Sequence, residues 1–371
     1  VLQNIDKNKY KLYLLIEDDS GKDNVFEKDI PKGIEYVFLK DNRIQKIADY
    51  LRINKKNIFL KIFYNIFMSV ERGVALNSLK KFNKSLGEID VFVDYDTGAS
   101  RYIEKIKAKK KIAWIHNSIP NLKRKKSKIE RYGKRLDKYD LIVSICDEMK
   151  NEIKEIYPHL KDKVHRIYNP FNFSRINNLS EDHEKLNQIE RKLMKEKYFL
   201  AVSRLDEVQK DYTTLINGFK KAKEKGLKEK LFILGDGPSK EYISNLIDKL
   251  KLTGEVVLLG QSKNPYVWMK NCITFVHSSK YEGFGMVIVE ALSLEKCVIS
   301  SKCKVGPVEI LDSGEYGILF NVGDSTELSK IILDTSSREE LRKKYENKAM
   351  ERALVFDSKV ILNEYERIID E

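Results

Sequence analysis

The stretch Tyr281–Ala291, YEGFGMVIVEA, decides how this chain is read. Two glutamates, Glu282 and Glu290, flank seven residues that open with Gly-Phe-Gly. Upstream, Phe275–Ser279 (FVHSS) has the apolar character of a short buried strand, and Val287–Leu294 that of a starting helix. A strand, a glycine-containing turn and a helix N-terminus together make an anion site. The first helical N–H groups lack partners there, and the helix dipole favours negative charge. Gly283 and Gly285 let the backbone come close to a ligand where a side chain would block it. The spacing puts Glu282 in the turn and Glu290 about two turns into the helix.

A second segment, Tyr198–Lys210 (YFLAVSRLDEVQK), pairs an apolar strand with Arg204 and, six residues later, Lys210. Two cations just past a strand end suit a diphosphate: Arg for bidentate contact, Lys as a mobile point charge. Glu282 then falls at the phosphate end of a nucleotide, and Glu290 where ribose hydroxyls could reach it. Gly235 and Gly237 in LGDGP fit a tight strand-to-helix turn beside the same region.

With these pieces in order, the chain resembles retaining glycosyltransferases of family 4. The matching segments are SRLDEVQKDYTTLINGF (203–219), LFILGDGP (231–238), VVLLGQ (256–261), the glutamate pair 282–290 and GPVEILDSGEYGILF (306–320). The resemblance is close over about 120 residues and loose in the first half. It implies an α/β protein of GT-B fold: two Rossmann-like doubly wound domains facing a central cleft, with a C-terminal helix crossing back. It implies Arg204 and Lys210 on the donor diphosphate, Glu290 on the ribose and Glu282 near the reactive carbon of the sugar. The backbone N–H groups of Phe284, Gly285 and Met286 would hold the distal phosphate or sugar hydroxyls, and Gly260 and Gln261 would border the base. His116, after the Ile112–Ile115 strand, resembles the histidine that reaches the transferred sugar across the cleft. No metal is expected, since no Asp-x-Asp pair or ligand cluster stands in a cleft-like setting. The donor implied is a nucleotide sugar, UDP-linked by preference, carrying galactose, N-acetylgalactosamine, N-acetylglucosamine or glucose. The acceptor implied is a glycan or lipid-linked glycan of capsule, lipopolysaccharide or glycoprotein assembly.

Other candidates are weaker. Asp94 and Asp96 follow a strand and could meet an acceptor hydroxyl, or merely cap a turn with Thr97 and Gly98. His277 precedes the glutamate motif and could face the cleft.

At 371 residues the length suits two domains. Strand-helix alternation with poorly alternating strands argues for parallel sheets covered on both faces. The expected division is residues 1–170, joined by about 355–371, as an acceptor domain, and 171–354 as a nucleotide-sugar domain. The polar segment 172–196 reads as a linker containing a helix, and the opening Val1–Asp19 as a helix tail, a turn and a strand. By the resemblance, such a domain normally begins with one more strand and a glycine-rich turn. Cys146, Cys272, Cys297 and Cys303 form no C-x-x-C pair, so buried reduced thiols in a cytoplasmic setting are expected.

Charge is uneven. Residues 1–170 hold 37 Lys and Arg against 24 Asp and Glu, whereas residues 171–371 hold 32 of each. The basic runs are Lys105–Lys111 and Leu122–Lys138, and Arg52–Tyr64 mixes cations with Ile, Phe and Leu. The apolar stretch Ile58–Val70 is too short to cross a bilayer but long enough to lie on one. Each basic residue near anionic lipid adds about 1 kcal/mol, so a peripheral site on the inner face of the cytoplasmic membrane is expected. A nucleic-acid-binding protein would need interleaved aromatics or a reading helix, and the basic runs offer only Tyr132, with Tyr139 one residue beyond. A non-catalytic partner subunit of the same fold is the remaining alternative.

Overall fold

A computed structural model describes residues 1–19, 21, 24, 27–54, 56–123, 125–184 and 186–371. Arg124 and Lys55 of the basic segments and Lys185 of the linker lie outside the described residues.

The first half carries β1 (Tyr13–Asp18), β2 (Glu35–Lys40), β3 (Ile89–Tyr95), β4 (Ala108–Ile115), β5 (Leu141–Ser144) and β6 (Val164–Arg166). Strands β3 to β6 form one parallel sheet in chain order, and β1 pairs in parallel with β2 apart from it. Isoleucines and aromatics with no polar alternation, as in Ile112–Ile115, are buried because helices cover both faces. The sequence predicts one continuous sheet here. Instead, among the described residues, no ladder bonds join β1 to β3. Residues 1–9 also form turns where a helix tail is expected.

The second half carries β7 (Tyr198–Val202), β8 (Lys230–Leu234), β9 (Val256–Gly260), β10 (Thr274–His277), β11 (Val298–Ser301) and β12 (Ile318–Phe320). They form a six-stranded parallel sheet in the order β12-β11-β10-β7-β8-β9. This is a doubly wound sheet, and its topological switch lies between β7 and β10. Ligands bind such sheets in the crevice outside the carboxyl ends of the two strands at the switch. Arg204 and the Glu282 turn leave from those two ends.

The segment read as a linker is not free. Its helix Phe173–Ser180 buries Phe173 and Ile176, and the Asn264 amide donates to the Leu179 carbonyl at 2.7 Å. The long terminal helix breaks into Glu339–Leu354 and Ser358–Asp370, with Phe356 fully buried at the break. The last helix returns to the first domain, where Tyr365 stacks on Trp114 at 4.2 Å. One buried cluster runs through both halves by way of Tyr168, Phe284 and Phe356. All four cysteines are buried and unbonded.

Candidate active site

The glutamate turn is fixed by its phenylalanine. Phe284 is buried, its ring 5.8 Å from Tyr168 and 5.7 Å from Phe356. With this side chain anchored, the backbone of the turn faces the cleft. Gly285 (φ 98°) begins the helix Met286–Ser293. The N–H groups of Gly283, Phe284, Gly285 and Met286 donate to no acceptor among the described residues. Gly283 meets the other domain directly: a Cβ there would lie 2.5 Å from the carbonyl oxygen of His116. The turn and His116 are therefore in contact across the cleft.

Glu282 is 7% exposed and sits at the centre of a network. Its Oε1 accepts from Lys210 Nζ at 2.5 Å, from Ser279 Oγ at 2.5 Å and from His277 Nε2 at 3.0 Å. Gln209 donates more weakly to Oε2 at 3.5 Å. A buried carboxylate needs such partners, since desolvating an unpaired charge is costly. Burial lowers the His277 pKa to about 4, so at neutral pH this ring is uncharged and serves as a hydrogen-bond donor. Lys210 is drawn to Glu282 by the short helix Glu207–Lys210, whose N-terminus Asp206 caps. The hydroxyl of Ser278 donates to the Lys210 carbonyl at 2.8 Å, fastening that helix to the end of β10.

Arg204 stands apart from this knot. Its side chain is 63% exposed, and its guanidinium donates to Asp206 at 2.6 Å. The loop that carries it rests on the LGDGP turn. Gly235 adopts φ 150°, and a Cβ there would lie 1.9 Å from the Ser203 carbonyl oxygen. The Gly235 N–H donates to the Gly260 carbonyl at 2.8 Å, so the loop holding Gly260 and Gln261 is tied to the same turn.

Glu290 is the fifth residue of its helix, a little over one turn in rather than two. Tyr266 donates to its carboxylate at 3.3 Å. Burial raises its pKa to about 7, with the tyrosine opposing. Met286, the first helical residue, is exposed.

His116 is stacked on Tyr95 with ring centroids 5.7 Å apart, and burial lowers its pKa from 6.5. Asp96, in left-handed backbone conformation, is exposed nearby and opposes that shift. Asp94 is different: it is buried, accepts from the Ala99 N–H at 3.1 Å and from the Tyr139 hydroxyl, and is pushed up to about 6. Its oxygens serve the fold of the loop, the capping role that the sequence also offered.

Sequence reasoning took His277 as a residue that could face the cleft and did not single out Ser279, Gln209 or Tyr266. The run FVHSS-x-x-E carries the first two at fixed distance from Glu282, which was the available signal. Nothing in the spacing announces Tyr266. Among the described residues, no group of three or more His, Cys, Asp or Glu side chains converges as a metal site. No described helix is long and apolar enough to cross a membrane.

Residues 182–352, which contain this network, match the sequence model of the glycosyl transferases group 1 family. The matched segment is the second domain, a little under half of the chain. An uncharacterized glycosyltransferase of Methanocaldococcus jannaschii is 34% identical over 261 residues, which is 62% of this chain and 63% of the relative. The N-acetylgalactosamine-N,N'-diacetylbacillosaminyl-diphospho-undecaprenol 4-alpha-N-acetylgalactosaminyltransferase of Campylobacter jejuni is 35% identical over 164 residues, 44% of each chain. The chain thus matches less than two thirds of the length of these curated relatives. Anabaena HepE, solved in complex with UDP, superposes with a TM-score of 0.72 at 18% identity, covering 97% of this chain and 100% of that one. The fold is GT-B.

Proposed function

We propose that the protein is a retaining glycosyltransferase. It moves a hexosyl unit from a nucleotide sugar, UDP-linked, to a glycan or lipid-linked acceptor at the cytoplasmic face of a membrane. The observation that carries the reading is the Glu282 network, set beside four unpartnered N–H groups at the switch point of a doubly wound sheet. The family match supports the reaction class, and the UDP of the Anabaena neighbour supports the base. The diphospho-undecaprenol in the name of the Campylobacter relative supports a lipid-linked acceptor.

In this reading the turn N–H groups and Arg204 bind the donor diphosphate. Lys210 moves from Glu282 toward the leaving phosphate as charge develops, stabilising it in a water-poor site. Glu290 accepts from the ribose hydroxyls, and the Gly260–Gln261 loop borders the base. The bond between the anomeric carbon and the phosphate oxygen breaks with its electron pair going to phosphate. The acceptor oxygen bonds to the same face of that carbon, and its proton passes to the departing phosphate oxygen. Glu282 positions the sugar beside that carbon, and neutral His116 offers a hydrogen bond to a sugar hydroxyl from the opposite domain.

The test is slow donor hydrolysis by the purified chain against UDP-, GDP- and ADP-sugars, beside Glu290→Ala and Lys210→Ala. Release of one nucleotide, lost in both variants, is expected. No release with any donor, together with no thermal shift by any nucleotide, would favour a non-catalytic partner subunit.

A further inference from the structure

The helix Ile58–Leu86 is two different objects along its length. From Glu71 onward it belongs to the core: Glu71, Ala75, Leu79 and Phe82 are buried, and Glu71 holds the buried Lys40 at 2.8 Å. Before Glu71 none of its side chains is buried, although the segment is rich in apolar residues. These thirteen residues extend about 20 Å at 1.5 Å per residue. Leu60, Tyr64, Phe67 and Met68 are half-covered. Ile58, Phe59, Ile62, Phe63, Ile66 and Val70 are exposed, Phe59 at 78% and Ile58 at 67%. Their spacing of one, three, one, three and four residues places them along a single face. The preceding helix, Asn42–Ile53, adds exposed Ile47, Tyr50 and Ile53 beside it. An apolar surface this continuous marks a binding face rather than scattered exposure.

Charge identifies what covers it. Lys46, Lys56 and Lys61 are exposed around this face and have no carboxylate at ion-pair distance among the described residues. At the inner end of the face stands Arg72, and next to it a group of cations: Arg101, Lys123, Lys128, Arg131 and Arg135. Two of them feel the others: Arg135 is lowered first by burial and then by Arg101, Arg131 and Arg72, and Lys123 first by burial and then by Arg135, Arg101 and Lys128. Geometry holds them together. The helix Lys126–Leu136 is pinned to the β3 loop by Tyr132, whose hydroxyl bonds that of Thr97 at 2.7 Å while Lys123 sits 4.6 Å over its ring. Six cations with Asp96 as the acid acting on Lys123, beside an exposed apolar ridge, suit a surface that is apolar within and anionic at its boundary. A second protein copy presents this same basic group and would repel it.

We propose that the outer half of the helix Ile58–Leu86, with the end of Asn42–Ile53, inserts into the headgroup boundary of an anionic lipid bilayer, while the Arg72–Arg135 group rests on the lipid phosphates. Asp96 neighbours both Lys123 and His116, so the basic group borders the cleft on the first domain. Docked in this way, the cleft opens next to the lipid surface. The proposal rests on the membrane-facing part of the proposed function and gives it a specific surface.

The test is flotation of the full chain with phosphatidylcholine vesicles, with and without about one third phosphatidylglycerol. Wild type is expected to float with the anionic vesicles at least tenfold better than with the neutral ones. Phe59→Asp/Phe63→Asp abolishes flotation with both, while its melting temperature stays that of wild type, since both side chains are exposed. Lys128→Glu/Arg131→Glu removes the preference for anionic lipid. Both native tryptophans, Trp114 and Trp268, are fully buried, so a Phe63→Trp variant reports insertion by a blue shift and by quenching with brominated lipid. Three results would overturn the proposal: wild type failing to float, the Phe59→Asp/Phe63→Asp variant floating as well as wild type, or a wild-type dimer that this variant dissociates. Nucleotide binding measured on the same samples separates the two readings. Vesicle binding without nucleotide binding sinks the transferase and leaves the insertion; the reverse leaves the transferase and sinks the insertion.

Discussion

Glu282 and Glu290 are the same side chain eight residues apart, and their surroundings give them different work. Glu282 has a lysine, a serine and a neutral histidine as donors, so it is held as the hub of a hydrogen-bond network. Glu290 has one tyrosine and much burial, and its pKa stands at about 7 against an ordinary 4.5. The folded state therefore favours the protonated form of Glu290. Its contribution to stability is complete below about 4.5, declines as pH rises, and is lost above about 7. Glu290→Gln is accordingly expected to melt higher than wild type by a margin that widens between pH 5 and pH 8, read by calorimetry across that range. A margin independent of pH would contradict the assignment. The motif spacing made both glutamates legible in sequence. The spacing could not show that Lys210 closes on Glu282, because two residues 72 apart meet only once β7 and β10 are neighbours.

At the scale of elements, the second domain was the more readable half. Its strands are short apolar runs set off by Gly, Pro and Asp. The apolar strand read within Tyr198–Lys210 is β7 (Tyr198–Val202), and the one read at Phe275–Ser279 is β10 (Thr274–His277). The first half was harder for physical reasons. The apolar stretch Ile58–Val70 reads as long enough to lie on a bilayer, but its composition does not say which of its residues are exposed; the fold leaves Ile58, Phe59, Ile62, Phe63, Ile66 and Val70 in solvent. The region Ile44–Phe82 reads as a long helical region; in the fold it is two helices, the second started by Asn57, which accepts from the N–H groups of Phe59 and Leu60. Asp94 gave no sign that Tyr139, 45 residues away, would claim its carboxylate. Side-chain partners brought together by strand order are invisible to local pattern.

At the scale of the whole molecule, a reciprocal clasp holds the two domains at the cleft. Glu309 of the second domain accepts from the N–H groups of Asp147 and Glu148, at the start of the helix Asp147–Ile156 in the first domain, at 2.8 and 3.1 Å. Tyr168 donates to the same carboxylate at 2.8 Å. Glu148 returns the contact by accepting from the Val305 N–H at 2.7 Å. A carboxylate at a helix N-terminus is favourable both by hydrogen bonding and by the dipole. Glu309→Ala is expected to cost about 1–3 kcal/mol in denaturant unfolding and to enlarge the radius of gyration seen by X-ray scattering, as the domains part more easily. Unchanged scattering would mean that the apolar contact of Tyr168, Phe284 and Phe356 alone sets the closure.

The central claim is that the Glu282 turn and its cations form a nucleotide-sugar site. Calorimetric titration of UDP into wild type, Lys210→Ala and Glu290→Ala tests it most directly. Binding by wild type, weakened at least about tenfold in each variant, is the predicted result, since each loses a charged hydrogen bond to the ligand. UDP binding with equal affinity in all three proteins would contradict the site, as would the absence of binding by UDP, GDP and ADP alike.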